Sequence, residues 1–473
     1  MHPSDRVGAG HLAGMVAVGL AMRVALAWGI GWREPFGEDA AFWGYEMLEL
    51  ARGRYVGDLP PVYAALGALL GGGVGATAVA LAAGVAIAPL LALAAETVAG
   101  GRAGRTAGWL AVPMPAMWAW SIRVEPTTLV AACTALAALL AARTVRGAGN
   151  GTALAFGVVA GGLPLVKENG LPVGLVLVAV VARAAPGRAV AAVAGAAATY
   201  ALWAGLDAMA LHTGVRGKIS MPVAESRTML LTGRLANPLH ADVDRFAQVS
   251  GRWLEQIARP DATPVSRAFW FAAVQAWRTV GFLGPWAVAI PAACVACVRA
   301  WRAGRLAGWQ AALPVGLALT AAPFALIVFQ SRHADVAALG GLLAVAVATA
   351  GRPWLARSAV AAAFAWGAVR IAGSEAPTAD RMQVCAKQEA AIVDRVLAEA
   401  GEGGVLCAME RWVGFRAGVP ASDCAEGETP RGAWIVASPR ELAGTWTPKP
   451  GFVVKRRERA VCRGAVLIGR IEP

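Results

Sequence analysis

The chain has 473 residues, of which 57% are hydrophobic and 15% charged, with a formal net charge of +13. So large an apolar excess must face lipid, which excludes an ordinary soluble domain. The positive charge does not point to nucleic acid, because it sits mainly in short connectors between apolar runs, where the positive-inside bias of membrane proteins puts it.

In chain order the apolar runs predict about eleven membrane-spanning helices, at 11–30, 76–97, 106–121, 127–143, 152–166, 170–183, 189–210, 284–299, 309–329, 334–350 and 355–372. At about 1.5 Å per residue these cross much or all of a hydrocarbon core about 30 Å thick, and a backbone in lipid satisfies its own hydrogen bonds as helix. Abundant Ala and Gly favour close helix packing. Residues 11–30 form a first span rather than a cleaved signal, since Arg23 interrupts the run and Trp28, Ile30 and Trp32 make a poor cleavage site. The pair 152–166 and 170–183 is short and broken by Pro164, Lys167, Glu168, Asn169, Gly170 and Pro172, as expected of a hairpin whose tip meets water.

Arg102/Arg105, Arg143/Arg146, Arg183/Arg188, Arg299/Arg302/Arg305 and Arg352/Arg357 fall between alternate spans, so all can share the cytoplasmic side, with Arg6 and the N-terminus. Loops 31–75 and 211–283 and the tail then lie on the opposite face. Cys385, Cys407, Cys424 and Cys462 all fall in the tail, an even count that suits disulfides in an oxidising compartment, with three pairings open. Cys294 and Cys297 form a C-x-x-C inside an apolar run, which is read as helix packing. The architecture expected is an all-α polytopic membrane domain with interfacial loop helices over 1–373 and a small α/β soluble domain over 374–473. The latter has a helix near 383–400 and short strands at 405–409, 434–437, 452–454 and 465–468.

The first loop is the most informative segment. Glu38, Asp39, Glu46 and Glu49 alternate with Phe42, Trp43, Met47, Leu48 and Leu50, the pattern of an amphipathic helix at the membrane surface, stopped at Gly53. Pro60-Pro61 restarts the chain before a second surface segment at 62–70. Asp39 suits the capping of that first helix, and a carboxylate there also suits a general base.

The order of features resembles the GT-C glycosyltransferases, in particular the branch with protein O-mannosyltransferases and the lipid A aminoarabinose transferase. The residues that carry this are Gly37-Glu38-Asp39-Ala-Ala-Phe-Trp after the first span, a helix ending at Gly53, and Leu59-Pro60-Pro61-Val62-Tyr63. Arg123-Val-Glu125-Pro126 between spans three and four, Lys167-Glu168-Asn169 in the hairpin, and Ser331-Arg332-His333 between spans nine and ten complete the set. The resemblance implies Asp39 as catalytic base, and Ala40 where a second acid is common leaves Glu38 as its alternative. It implies that Glu125 faces the same cavity as a second acid, an acceptor-orienting group or a ligand of a divalent metal. Lys167 and Arg332, with His333 in a usually aromatic position, would receive a lipid phosphate. Tyr63, Arg123 and Glu168 would lie near the substrate. The implied reaction moves a sugar from a polyprenyl-phosphate donor to a cell-envelope acceptor at the extracytoplasmic face of the inner membrane.

Arg216, Lys218, Glu225, Arg227, Arg234, His240, Asp242 and Asp244 in the long loop are further polar candidates that no spacing ranks. No nucleotide-binding glycine loop and no Gly-x-Ser-x-Gly elbow is present, so a soluble nucleotide-sugar donor has no support. A secondary transporter or lipid-carrier flippase is the rival reading. It predicts charges near mid-membrane and matching halves, whereas the candidates here cluster at one surface.

Overall fold

The computed structural model describes residues 6–36, 40–55, 59–114, 120–209, 227–232, 253, 255–320, 334–401, 405–407, 411–418, 432–437, 452–460 and 464–472. Its main helices in chain order are α1 (Ala9–Gly29), α2 (Ala40–Ala51), α3 (Pro61–Leu69), α4 (Gly73–Ala99), α5 (Gly101–Ala111), α6 (Thr127–Val145), α7 (Asn150–Val166), α8 (Gly170–Ala184) and α9 (Pro186–Met209). After the long loop come α10 (Pro264–Leu283), α11 (Trp286–Arg302), α12 (Gly308–Leu319), α13 (Ala334–Thr349), α14 (Pro353–Arg370), α15 (Ala376–Ala400) and α16 (Arg411–Ala417). Among the described residues, Ala9–Gly29, Gly73–Ala99, Thr127–Val145, Pro186–Leu206 and Pro353–Ala400 are long and apolar enough to cross a membrane, with shorter apolar helices at Asn150–Val166, Gly170–Ala184 and Ala337–Thr349. The chain is a multi-pass helical membrane protein with a small C-terminal sheet.

The two surface helices follow their local chemistry. Gly53, at φ +77°, takes the left-handed conformation that ends α2, and Pro61 opens α3 at its first turn. One span departs from its expected length: the helix expected over 106–121 runs from Gly101 and stops at Ala111. Val112-Pro113-Met114-Pro115 follows at once, and each proline lacks an N–H and disfavours helical backbone in the residue before it. Arg23, which interrupts α1, is buried there and donates from its two terminal nitrogens to the carbonyls of Gly19 (2.8 Å) and Gly84 (2.9 Å), so backbone rather than lipid meets them.

Small residues set how closely the helices approach. A Cβ on Gly157 of α7 would lie 1.9 Å from the Ala192 carbonyl oxygen of α9, and one on Gly195 would lie 2.4 Å from that of Leu154, so the two backbones touch directly. Gly151, on the same helix, has nothing within 4 Å of such a Cβ. Gly151→Ala is therefore expected to stabilise by about 0.5–1 kcal/mol through helix propensity, whereas Gly157→Ala should destabilise by about 1–3 kcal/mol through overpacking. Thermal unfolding of the two variants in detergent checks the opposite signs.

Beyond α14 the helix continues through a π-turn at Ile371–Glu375 into α15. The tail then forms a mixed sheet of β1 (Leu406–Cys407), β2 (Trp434–Ala437), β3 (Phe452–Ala460) and β4 (Gly464–Ile471) in the order β1-β2-β4-β3. Only β1 and β2 pair in parallel, and β3–β4 is a hairpin with an irregularity between Val454 and Arg456. Ile392, Val393 and Val396 of α15 and Trp412 and Val413 of α16 cover the sheet's Val436, Val466 and Ile468, with Ala41 of α2 at the edge of the same cluster. Cys385 is disulfide-bonded, while Cys133, Cys294 and Cys297 in the apolar helices are free, and Cys297 points its thiol at the Ala344 carbonyl. Cys424 and Cys462 lie outside the described residues.

Candidate active site

The hairpin of α7 and α8 delivers a lysine to the end of the bundle. Lys167 leaves helical conformation at φ −159°, ψ 140°, directly after α7, and its side chain is 4% exposed. It crosses to the segment between Trp120 and α6, where its Nζ meets Glu125 Oε1 at 2.7 Å and Thr127 Oγ1 at 2.9 Å. Thr127 in turn donates to Glu125 Oε1 at 3.1 Å. The third side of the cluster is Tyr63 of α3. Its hydroxyl accepts from the Glu125 N–H at 2.9 Å and donates to the Ala76 carbonyl at 3.0 Å, while Trp43 packs edge-on against its ring at 5.2 Å. Burial, with the Glu125 carboxylate beside it, pushes the Tyr63 phenol up, so it stays protonated and tethers α3 to both neighbours. Glu125, Thr127 and Lys167 are all buried. A buried ion pair is weak support for stability, so its place at a helix break is what makes it a functional candidate.

The first loop reaches this cluster through backbone. The Val124 N–H donates to the Phe36 carbonyl at 2.7 Å, and Phe36 directly precedes residues 37–39, which lie outside the described residues. The preceding residues are held by the tail. Gln383 of α15 donates to the Glu34 carbonyl (3.2 Å) and accepts from the Glu34 N–H (3.1 Å), its amide orientation being fixed by this pair of bonds. Arg416 of α16 donates to the Pro35 carbonyl at 2.8 Å and to Glu389 Oε2 at 3.2 and 3.3 Å. Phe415 fills the space beside two glycines, with its ring 2.0 Å from an ideal Cβ on Gly44 of α2 and 2.9 Å from one on Gly73. Arg416→Ala would take a guanidinium from the buried Glu389 carboxylate and is expected to cost about 3–5 kcal/mol. Hydrogen exchange at 34–47 should rise in that variant, and unchanged protection there would show that the tail does not hold the loop.

No family model matches this sequence, and no curated protein does. Among solved structures, the Archaeoglobus fulgidus oligosaccharyltransferase in complex with zinc and sulfate superposes with a TM-score of 0.55 over 90% of this chain and 68% of its own, at 13% identity. The fold is that of the GT-C membrane glycosyltransferases. ArnT from Cupriavidus metallidurans bound to undecaprenyl phosphate is similar over 98% of both chains, at 16% identity and a TM-score of 0.46. Archaeal oligosaccharyltransferase AglB from Archaeoglobus fulgidus, with an inhibitory peptide and dolichol-phosphate, matches 92% of this chain at 12% identity, 69% of its own length and a TM-score of 0.49.

Within this GT-C fold the residues singled out in the sequence divide into three sets. Glu125 meets both Lys167, through its carboxylate, and Tyr63, through its backbone N–H. Arg123 turns the other way: it is buried against the Trp120 ring at 5.3 Å and pairs with Glu375 of the π-turn at 3.5 Å, which joins the α6 entry to the tail helix. Glu168 sits half-buried at the hairpin tip. Glu38, Asp39, Arg332 and His333 lie outside the described residues, as do Arg216, Lys218, Glu225, Arg234, His240, Asp242 and Asp244 of the long loop. Among the described residues no group of three or more His, Cys, Asp or Glu side chains converges as a metal site.

One residue of the site was not selected from sequence. Asn169 stands at the N-cap of α8 without capping it, is 2% exposed, and among the described residues neither its amide nitrogen nor its amide oxygen has a hydrogen-bond partner. A buried amide left unpaired costs about 1–3 kcal/mol, so Asn169 is a candidate to meet a bound group. The sequence signal was present, since an asparagine before Gly170 normally caps the helix, but only the structure shows that it does not.

Proposed function

We propose that this chain is a membrane glycosyltransferase that moves a sugar from a polyprenyl-phosphate carrier to an acceptor on the extracytoplasmic side. The observation that carries the reading is the buried Lys167–Glu125 pair at a helix break, at one end of a GT-C bundle and joined through Val124 to the segment that precedes Asp39. In this scheme the acceptor oxygen attacks the anomeric carbon, its proton passes to Asp39, and the glycosidic bond to the phosphate breaks with inversion. Charge builds on the departing phosphate, and Lys167 with Arg332 neutralises it. Lys167 is held ready by Glu125 and Thr127. The disulfide at Cys385 and the arginine-rich connectors at the far end support an extracytoplasmic tail and a cytoplasmic N-terminus.

The direct test supplies purified protein in detergent with radiolabelled polyprenyl-phosphate hexoses and pentoses and an acceptor lipid extract. Transfer of label to the acceptor is the expected result. If no donor is consumed while proteoliposomes carry the intact donor across the bilayer, the protein is a transporter.

A further inference from the structure

The other end of the bundle carries an arrangement that sugar transfer does not use. Helix α4 starts beside Tyr63 and runs to Ala99, so the start of α5 lies a full helix length from Lys167. There α5 and α14 flank a cavity of about 660 Å³ lined by Arg102, Arg105, Trp109, Arg357, Val360 and Ala361, among others. Arg102, Arg105 and Trp109 recur at i, i+3 and i+7 on α5, and Arg357, Val360 and Ala361 at i, i+3 and i+4 on α14, so each helix gives one face to the cavity. On α5 the arginines come first and Trp109 follows, and on α14 Val360 and Ala361 lie beyond Arg357, with Pro353 and Ala356 lining the cavity before it. Along α5 the order spans about 10 Å, at about 1.5 Å per residue.

The charges at this rim are not balanced by the protein. Both helices start without a side-chain cap and without an acid in the first turn, so their free N–H groups add partial positive charge to the guanidinium groups. Among the described residues the Arg102 and Arg357 side chains make no hydrogen bond or ion pair, and Arg105 donates only to the Arg6 carbonyl at 3.2 Å. Glu96, the acid at this end of α4, makes no ion pair among the described residues either. Arginines at helix N-termini oppose the helix dipole, and an anion placed among them removes the conflict. Trp354, 66% exposed, stands at the same level, where aromatic side chains mark lipid headgroups.

We propose that this groove binds an anionic phospholipid, its phosphate held by Arg102, Arg105 and Arg357 and an acyl chain lying against Trp109, Val360 and Ala361. The sequence from charged rim to apolar depth is that of a phospholipid. Free phosphate would use the arginines and leave the apolar wall in water. Basic pockets between helices at a membrane face recognise anionic headgroups by this chemistry.

Native mass spectrometry of the full chain, titrated with phosphatidylglycerol or phosphatidylcholine, tests it. Wild type should retain phosphatidylglycerol in preference to phosphatidylcholine, and R102A/R105A/R357A should weaken that retention by on the order of a hundredfold. R143A/R183A/R299A, which removes the same charge from the same end of the bundle outside the groove, should bind as wild type does. Equal loss in both triple variants, equal retention of the two lipids, or displacement of the lipid by glycerol phosphate at matched concentration would each overturn the proposal. If the groove triple variant loses its wild-type thermal midpoint, the single variants Arg102→Ala and Arg357→Ala, both at exposed positions, carry the same comparison.

Discussion

Replacing Lys167 with alanine should abolish sugar transfer and also weaken the fold. Removing the cation takes the ammonium from a buried Glu125 carboxylate that also accepts from Thr127, and breaking a buried pair from one side costs about 3–5 kcal/mol. The two consequences separate in the double variant Lys167→Met/Glu125→Leu, which replaces the pair with apolar side chains. That variant should recover most of the thermal midpoint, because apolar replacement of a buried pair is often neutral or stabilising, while transfer stays at background. Transfer that returns with stability would make the pair a structural feature only. Asn169→Ala gives an independent reading of the same hairpin: its amide is unpaired among the described residues and its removal relieves that cost, so the midpoint should hold or rise while transfer slows.

Much of this site was legible because membrane sequences are simple where they are lipid-facing and irregular where they are not. Lys167 stood out as a charge between two apolar runs, and Gly53 and Pro61 marked the ends of the surface helices from backbone preference alone. The same logic misjudged the end of α5, where hydropathy continued past Pro113 although the helix ends at Ala111. Partner choice was the illegible part. That Lys167 pairs with Glu125, that Arg123 turns to Glu375, and that Arg416 holds the Pro35 carbonyl are contacts between segments far apart in the chain, fixed by packing that no local pattern encodes. Close approach was hidden for a similar reason: Gly157 and Gly151 look alike in an alanine-rich helix until the position of α9 is known.

The tail illustrates how packing assigns a role that composition does not. Its short strands and its helix were visible as patterns, yet nothing in them indicated that α15 and α16 would grip the first loop. With Gln383 on Glu34, Arg416 on Pro35 and Phe415 against Gly44, the C-terminal residues hold the chain on both sides of residues 37–39. The acidic segment thus depends on a part of the chain that contributes no reacting group.

Asp39 carries the second large prediction. Asn has nearly the same shape and accepts no proton, so Asp39→Asn should lower turnover by about 10²–10⁴-fold, the usual contribution of a general base, with donor binding and thermal midpoint kept. Glu38→Gln should lower it far less if Asp39 is the base, and the order reverses if Glu38 is. The decisive measurement is single-turnover sugar transfer from a polyprenyl-phosphate donor by wild type, Asp39→Asn and Glu38→Gln at equal purified amounts. Transfer by wild type that collapses in Asp39→Asn is the predicted result, and transfer by Asp39→Asn at the wild-type rate would contradict the account.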